Sequence, residues 1–207
     1  MAGSRDPQEW PLERERRAPQ PDPVLPPVVD ANGTKTLSVL QGQFRVSDDP
    51  DAVMTTILGS CVATCVWDPD TGVGGMNHFL LPGTEKNRSG NLRYGVNSME
   101  LLINALLQQG ARRENLHLKL FGGARMFGTE DGIGRKNAEF AVWYVETEGL
   151  RLVKKCLGGT RGRKVRFWPG SGHAQLKFLQ NDWHETLSPE TTTPRRRADD
   201  SGVVTLF

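Results

Sequence analysis

Apolar positions recur every second residue in several short runs and every third or fourth in two longer ones. Leu37 and Val39, then Phe44 and Val46, alternate with polar residues around Gly42, which predicts an opening β-hairpin. Residues 53–58 and 61–67 are β-branched-rich runs on either side of Gly59-Ser60, and 74–81 is a further strand-like run, closed by Pro82-Gly83. Leu116, Leu118 and Leu120 alternate with His117 and Lys119, the period of a half-buried strand with His117 toward solvent. Val165 with Phe167, and Ala174, Leu176 with Phe178, repeat the period. Helical spacing appears twice. Asn97-Ser98-Met99-Glu100 resembles a capping box, after which Met99, Leu102, Ile103 and Leu106 share one face up to Gly110. A second helix is expected over 136–148, with Ala138, Ala141, Val142 and Val145 inward and Gly149 as its stop. Strands interleaved with helices predict a mixed α/β domain, α+β in class, without internal repeats.

Composition divides the chain. Its 207 residues amount to about one domain. Hydrophobic residues make up only 37%, low for a fully folded globule. Seven of the 13 prolines lie within 1–27, whereas 20 of the 23 glycines fall between Thr36 and Gln180. The expectation is a disordered, proline-rich tail at 1–35, one compact domain at 36–184 and a flexible tail at 185–207. The net charge of +2 gives no ground for a nucleic-acid partner. No run of about 18 apolar residues predicts a spanning helix, and no leader is evident. Three cysteines make no disulfide framework, so the cytoplasm is the expected compartment. Residues 149–181 hold eight Lys/Arg and no acid, a solvated face or a surface for an acidic partner.

The candidate chemistry centres on Cys61. It follows the small-residue step Leu58-Gly59-Ser60 between two strand-like runs, where backbone N–H groups can gather beside a nucleophile. A free thiol is mostly protonated at neutral pH and needs a base, usually histidine. Of the four histidines, His78 lies in a strand-like run one strand-length after Cys61, so the two can meet across adjacent strands. Cys65 and Cys156 read as structural. No C-x-x-C or H-x-x-x-H spacing points to zinc, and Gly122-Gly123 and Gly158-Gly159 fit no nucleotide loop, so no metal or cofactor is expected.

Leu58-Gly59-Ser60-Cys61-Val62-Ala63 followed by Gly74-Gly75-Met76-Asn77-His78-Phe79-Leu80-Leu81-Pro82 resembles the CheD family of chemoreceptor glutamine deamidases. The likeness continues through Tyr94–Glu100, Leu120–Phe127, Ile133–Ala138 and Leu157–Arg163, in order across the expected domain. The resemblance implies a CheD-like cysteine hydrolase fold with two packed β-sheets and flanking helices. It implies Cys61 as nucleophile, His78 as general base and acid, and a threonine six residues before the cysteine, Thr55, orienting the imidazole. Period two would put Thr55 on the strand face of Ile57, opposite Thr56. Backbone at Gly59 and Ser60 is the expected oxyanion donor. The implied reaction turns receptor glutamines into glutamates through a glutamyl thioester, releasing ammonia, in chemotaxis adaptation. Implied partners are methyl-accepting receptor helices and a CheC-type phosphatase, for a protein associated with receptor arrays and monomeric. The alternative is an adaptor that binds and regulates such a phosphatase. The basic stretch, Arg161 and Arg163 included, is then expected to steer acidic receptor helices. Trp183, in the polar segment 182–187, is expected to cap a strand end.

Overall fold

Every residue of the strand Val62–Trp67 is buried, because both faces of its sheet are covered. The computed structural model describes residues 25–31, 33–81, 88–126, 132–179 and 204–207. In chain order these form β1 (Val28–Val29), β2 (Lys35–Ser38), β3 (Phe44–Ser47), β4 (Ala52–Leu58), β5 (Val62–Trp67) and β6 (Gly74–Phe79). Then come α1 (Arg88–Gln108), β7 (His117–Gly122), α2 (Ile133–Thr147), β8 (Arg151–Leu157), β9 (Arg163–Phe167), β10 (Ala174–Phe178) and β11 (Val204–Leu206). One sheet has the order β1-β2-β4-β9-β10-β11 and the other β3-β6-β5-β7-β8.

Alternation on β5 sorts its side chains between two cores. Val62 and Val66 join Met99, Leu102, Ile103 and Leu106 of α1 and Ala141, Tyr144 and Val145 of α2. Ala63, Cys65 and Trp67 join Met54, Leu58, Val165, Phe167 and Leu176 of the six-stranded sheet. The layers are therefore helices, five-stranded sheet, six-stranded sheet, the two packed sheets with outer helices that the resemblance implied. The second layer also buries the polar side of β7. His117 is half-buried and edge-on to Trp67, at 5.3 Å between ring centroids, instead of facing solvent. Lys119 is buried, its Nζ donating to the Gly172 carbonyl at 2.6 Å and lying 4.9 Å from the Trp67 ring centroid.

Several sequence expectations change here. The opening hairpin does not form: β2 pairs in parallel with β4, while β3 pairs with β6 in the other sheet. The Gly42 turn thus carries the chain from one sheet to the other. The first helix starts at Arg88, not Asn97, and Ser98 accepts from Asn77 Nδ2 instead of capping. Gly95 lies inside that helix. Its missing side chain makes room for Phe140 and Leu81, whose atoms would lie 2.5 Å and 2.8 Å from a Cβ. The second helix begins at Ile133, after Gly132 with φ 59°. Part of each expected tail is ordered: β1 pairs with β2, and β11 adds an edge strand to β10. The segment 182–187 lies outside the described residues.

Gly134 tests which effect dominates at the start of α2. Helix propensity alone favours alanine over glycine by about 1 kcal/mol. A Cβ there would meet the Ala124 carbonyl oxygen at 2.2 Å and that of Gly123 at 2.7 Å. Gly134→Ala is therefore expected to destabilise the protein by about 1–3 kcal/mol in urea unfolding, despite the better helix former.

Candidate active site

The site lies where the chain crosses between the sheets. β4 ends in one sheet, Gly59-Ser60-Cys61 makes the crossing, and β5 begins in the other. Cys61 lies two residues before Ala63 and so shares its strand face, the face between the sheets. Ala63 is the register partner of His78 on β6. Nucleophile candidate and base candidate are thus diagonal neighbours on one face of an antiparallel pair.

The imidazole is held from one side only. His78 is 6% exposed, and its Nδ1 lies 2.8 Å from Thr56 Oγ1 and 3.3 Å from the Val39 carbonyl oxygen. Thr56 Oγ1 donates its single proton to that same carbonyl at 2.8 Å. The hydroxyl oxygen can then only accept from His78, so Nδ1 carries the proton and Nε2 presents its lone pair. Nε2 is buried and has no hydrogen-bond partner among the described residues. The backbone of His78 is fixed too: its N–H donates to the Gln43 carbonyl at 3.0 Å and its carbonyl accepts from Gly42 N–H at 2.7 Å.

The threonine beside the imidazole is Thr56, not Thr55. Thr55 Oγ1 donates to the Val165 carbonyl at 3.0 Å, on the face it shares with Ile57. That face looks outward, for Ile57 is 54% exposed, whereas Met54 and Leu58 flank Thr56 in the inter-sheet core. The expected alternation holds, but the imidazole lies on the other side of the strand.

The crossing loop is pinned through three successive carbonyls. Gly59 accepts from Ala124 N–H at 2.8 Å, Ser60 from Asn137 Nδ2 at 3.2 Å and Cys61 from Gly123 N–H at 2.7 Å. The peptide bonds of the described residues are all trans, so the N–H following each carbonyl points the opposite way. The amide of Ser60 therefore turns away from Ala124 and that of Cys61 away from Asn137 of α2. Gly122 is required for this contact: its φ is 116°, and a Cβ would lie 2.1 Å from the Cys61 carbonyl oxygen. Burial pushes the Cys61 thiol up, partly offset by its own backbone N–H, and burial pushes His78 down. Both shifts favour the uncharged pair at rest. Cys65 is fully enclosed between the sheets and its thiol is driven strongly up by burial. Cys156 is half-buried, with Sγ 3.5 Å from Arg163 Nη1.

The structural roles of two residues were not read from the sequence. Asn137 is fully buried, and its Oδ1 accepts from Leu81 N–H at 2.7 Å while Nδ2 donates to the carbonyls of Ser60 and Ile133. One amide thus ties the Cys61 loop to the end of the His78 strand and to α2. A buried polar residue on the inner side of a helix was the available signal. Arg163 is 1% exposed and donates to the carbonyls of Cys156, Gly158 and Arg161. It organises a turn and is withdrawn from solvent, so the expectation that it steers a partner fails. Arg151, Lys154, Lys155, Arg161 and Lys164 remain exposed.

Fold and site together define a layered α/β protein with a cysteine and a histidine on one strand face beside a sheet crossing. The chain belongs to the CheD family. The family model described as "CheD chemotactic sensory transduction" matches residues 80–178. "Probable chemoreceptor glutamine deamidase CheD" of Agrobacterium fabrum (strain C58 / ATCC 33970) is 50% identical over 159 residues, covering 76% of this chain and 88% of the relative. The protein of the same name from Acidiphilium cryptum (strain JF-5) is 48% identical over 178 residues, 84% and 94% of the two chains. That from Sinorhizobium medicae (strain WSM419) is 54% identical over 148 residues, 70% and 81%. Among solved structures, a Neisseria meningitidis protein overlaps 54% of this chain and 51% of its own at TM-score 0.36 and 11% identity, too loose a likeness to carry an argument.

Asn137→Ala leaves the Leu81 N–H and the Ser60 carbonyl without this partner. Each such loss costs about 1–3 kcal/mol, so denaturant unfolding should register a drop of that order or more. Reactivity of Cys61 toward iodoacetamide should change with it, read by peptide mass mapping of the folded variant.

Proposed function

We propose that this protein deamidates glutamine side chains of chemoreceptors to glutamate, with Cys61 as nucleophile, His78 as general base and acid, and Thr56 as the residue that positions His78. The observation that carries this reading is His78 itself: Nδ1 is committed to Thr56, while the buried Nε2, on the strand face of Cys61, has no hydrogen-bond partner among the described residues. Membership of a family whose relatives bear the deamidase name supplies the substrate class.

The reaction runs in two halves. Nε2 takes the Cys61 proton, and the thiolate attacks the side-chain amide carbon of the substrate glutamine. The backbone amides of Ser60 and Cys61 receive the oxyanion. The imidazolium gives its proton to the departing nitrogen, ammonia leaves, and a glutamyl thioester remains. Water, deprotonated by Nε2, attacks the thioester; its collapse returns the thiol and releases glutamate. Thr56 accepts from Nδ1–H throughout, which stabilises the imidazolium less than a carboxylate would. The Gly59 amide of the sequence expectation is replaced by that of Cys61, on the peptide-plane argument. The exposed basic residues Arg151, Lys154, Lys155, Arg161 and Lys164 suit an acidic receptor helix, and a CheC-type phosphatase is a further candidate partner. Among the described residues no helix is long and apolar enough to cross a membrane.

Ammonia release from a receptor cytoplasmic fragment tests the assignment. Cys61→Ala should abolish it in a folded protein, and His78→Ala should lower it by about 10²–10⁴-fold. Thr56→Val should cost about tenfold in kcat, the value of roughly one hydrogen bond to a charged group, while Thr55→Val stays near wild type. Equal effects at both threonines would contradict the positioning of His78 by Thr56.

The pH profile follows from burial. The base acts when Nε2 is unprotonated, and burial lowers the pKa of His78. Activity should therefore persist on acidification below the ordinary histidine value of about 6.5, with the acid limb of kcat/KM displaced downward.

A further inference from the structure

Cys61 does not face His78 with its proton. Its Sγ donates to Oε1 of Gln41, 3.3 Å away. A thiol has one proton, so it cannot donate to Gln41 and to His78 Nε2 at once. The second observation agrees: Nε2 is buried without a hydrogen-bond partner among the described residues. The functional group occupying the sulfur is a primary amide on a glutamine, the same group that the enzyme hydrolyses in its substrate.

The backbone around Gln41 is anchored on both sides. Val39 N–H donates to the Thr55 carbonyl at 2.9 Å, Gln43 N–H to the Leu40 carbonyl at 3.0 Å and Gly42 N–H to the His78 carbonyl at 2.7 Å. Gly42 makes this turn possible with φ 83°. Gln41 itself is exposed, so its side chain can swing away by rotation about its own χ angles while the loop stays in place.

We propose that Gln41 is a built-in competitor for the amide position: it holds the Cys61 proton in the free enzyme, and a substrate glutamine must exchange with it before the thiol turns to His78. The inference rests on the Cys61–His78 reading above. Gln41 then acts on specificity as well as on rest-state reactivity. A side chain that presents an amide and replaces the lost S–H contact displaces Gln41 with little loss, whereas a group without an amide oxygen leaves the thiol proton where it is. Adventitious acylation or oxidation of the nucleophile is slowed by the same contact, because the resting sulfur stays protonated.

The full chain and its Gln41→Ala and Gln41→Glu variants decide the matter, with iodoacetamide labelling of Cys61 quantified by peptide mass mapping and steady-state kinetics on a receptor cytoplasmic fragment. Gln41→Ala should label about threefold to tenfold faster than wild type, the factor expected from losing one neutral hydrogen bond, and its gain in kcat/KM should lie in a lower KM. Gln41→Glu should label more slowly than wild type, since a carboxylate beside sulfur disfavours the thiolate. Unchanged labelling and KM in Gln41→Ala overturn the proposal. So does conversion of Gln41 to glutamate in wild type but not in Cys61→Ala, which would make Gln41 a substrate of its own enzyme. The underlying assignment fails separately: a folded Cys61→Ala protein that still releases ammonia removes Cys61 as nucleophile, whatever Gln41→Ala does.

Discussion

The carbonyl oxygen of Val39 is where the two sheets and the imidazole meet. It follows β2 of the six-stranded sheet, accepts from Thr56 on β4 of the same sheet, and lies against Nδ1 of His78 on β6 of the other. An imidazole between two sheets is costly unless its polar atoms find partners, since an unpaired buried group costs about 1–3 kcal/mol. Here one nitrogen is satisfied from the facing sheet and the other is left open. The asymmetry selects the tautomer, and the tautomer leaves Nε2 an acceptor and not a donor, as the proposed base requires. The chemistry thus depends on the distance between the sheets, which the apolar contacts of Met54, Leu58, Phe121, Val165 and Phe167 set.

The Cys61 side is governed by backbone. Three carbonyls in a row at residues 59–61 are held by partners from the β7–α2 connection and from α2 itself. Such a turn tolerates no added Cβ at Gly122 or Gly134, because backbone oxygens stand where one would go. Arg163 extends the same scaffold outward. It holds the carbonyls of Cys156 and Gly158, and Gly158 N–H in turn donates to the Gly122 carbonyl at 2.9 Å. Helix α2, the 122–124 turn and the 156–163 turn therefore act as one support behind Cys61, and Asn137 joins that support to the strand of His78.

Much of this is legible in the order of residues alone. The period-two runs locate the central strands, and the glycine stop at Gly110 locates a helix end, because both depend on local backbone and on which side chains must be buried. Cys61 and His78 stand out because a small-residue step precedes the one and a strand-like run holds the other. The mistaken expectations have a common origin. A hairpin at Gly42, a solvent-facing His117, an orienting Thr55 and an exposed Arg163 all follow if each strand has one covered face and pairs with its neighbour in sequence. The second sheet removes both conditions. It covers the far side of β7, receives β2 while β3 goes elsewhere, and turns the even-numbered face of β4 into the interior.

Residue type and spacing within single elements set the mixed class, singled out the cysteine and histidine of the proposed mechanism, and set the alternation that separates Thr55 from Thr56. Packing of the two sheets settled the rest: which threonine meets the imidazole, which basic residues are withdrawn from solvent, and which amide holds the thiol proton. Each of those is a contact between segments that lie far apart along the chain, and no local pattern records which face a neighbouring sheet will cover.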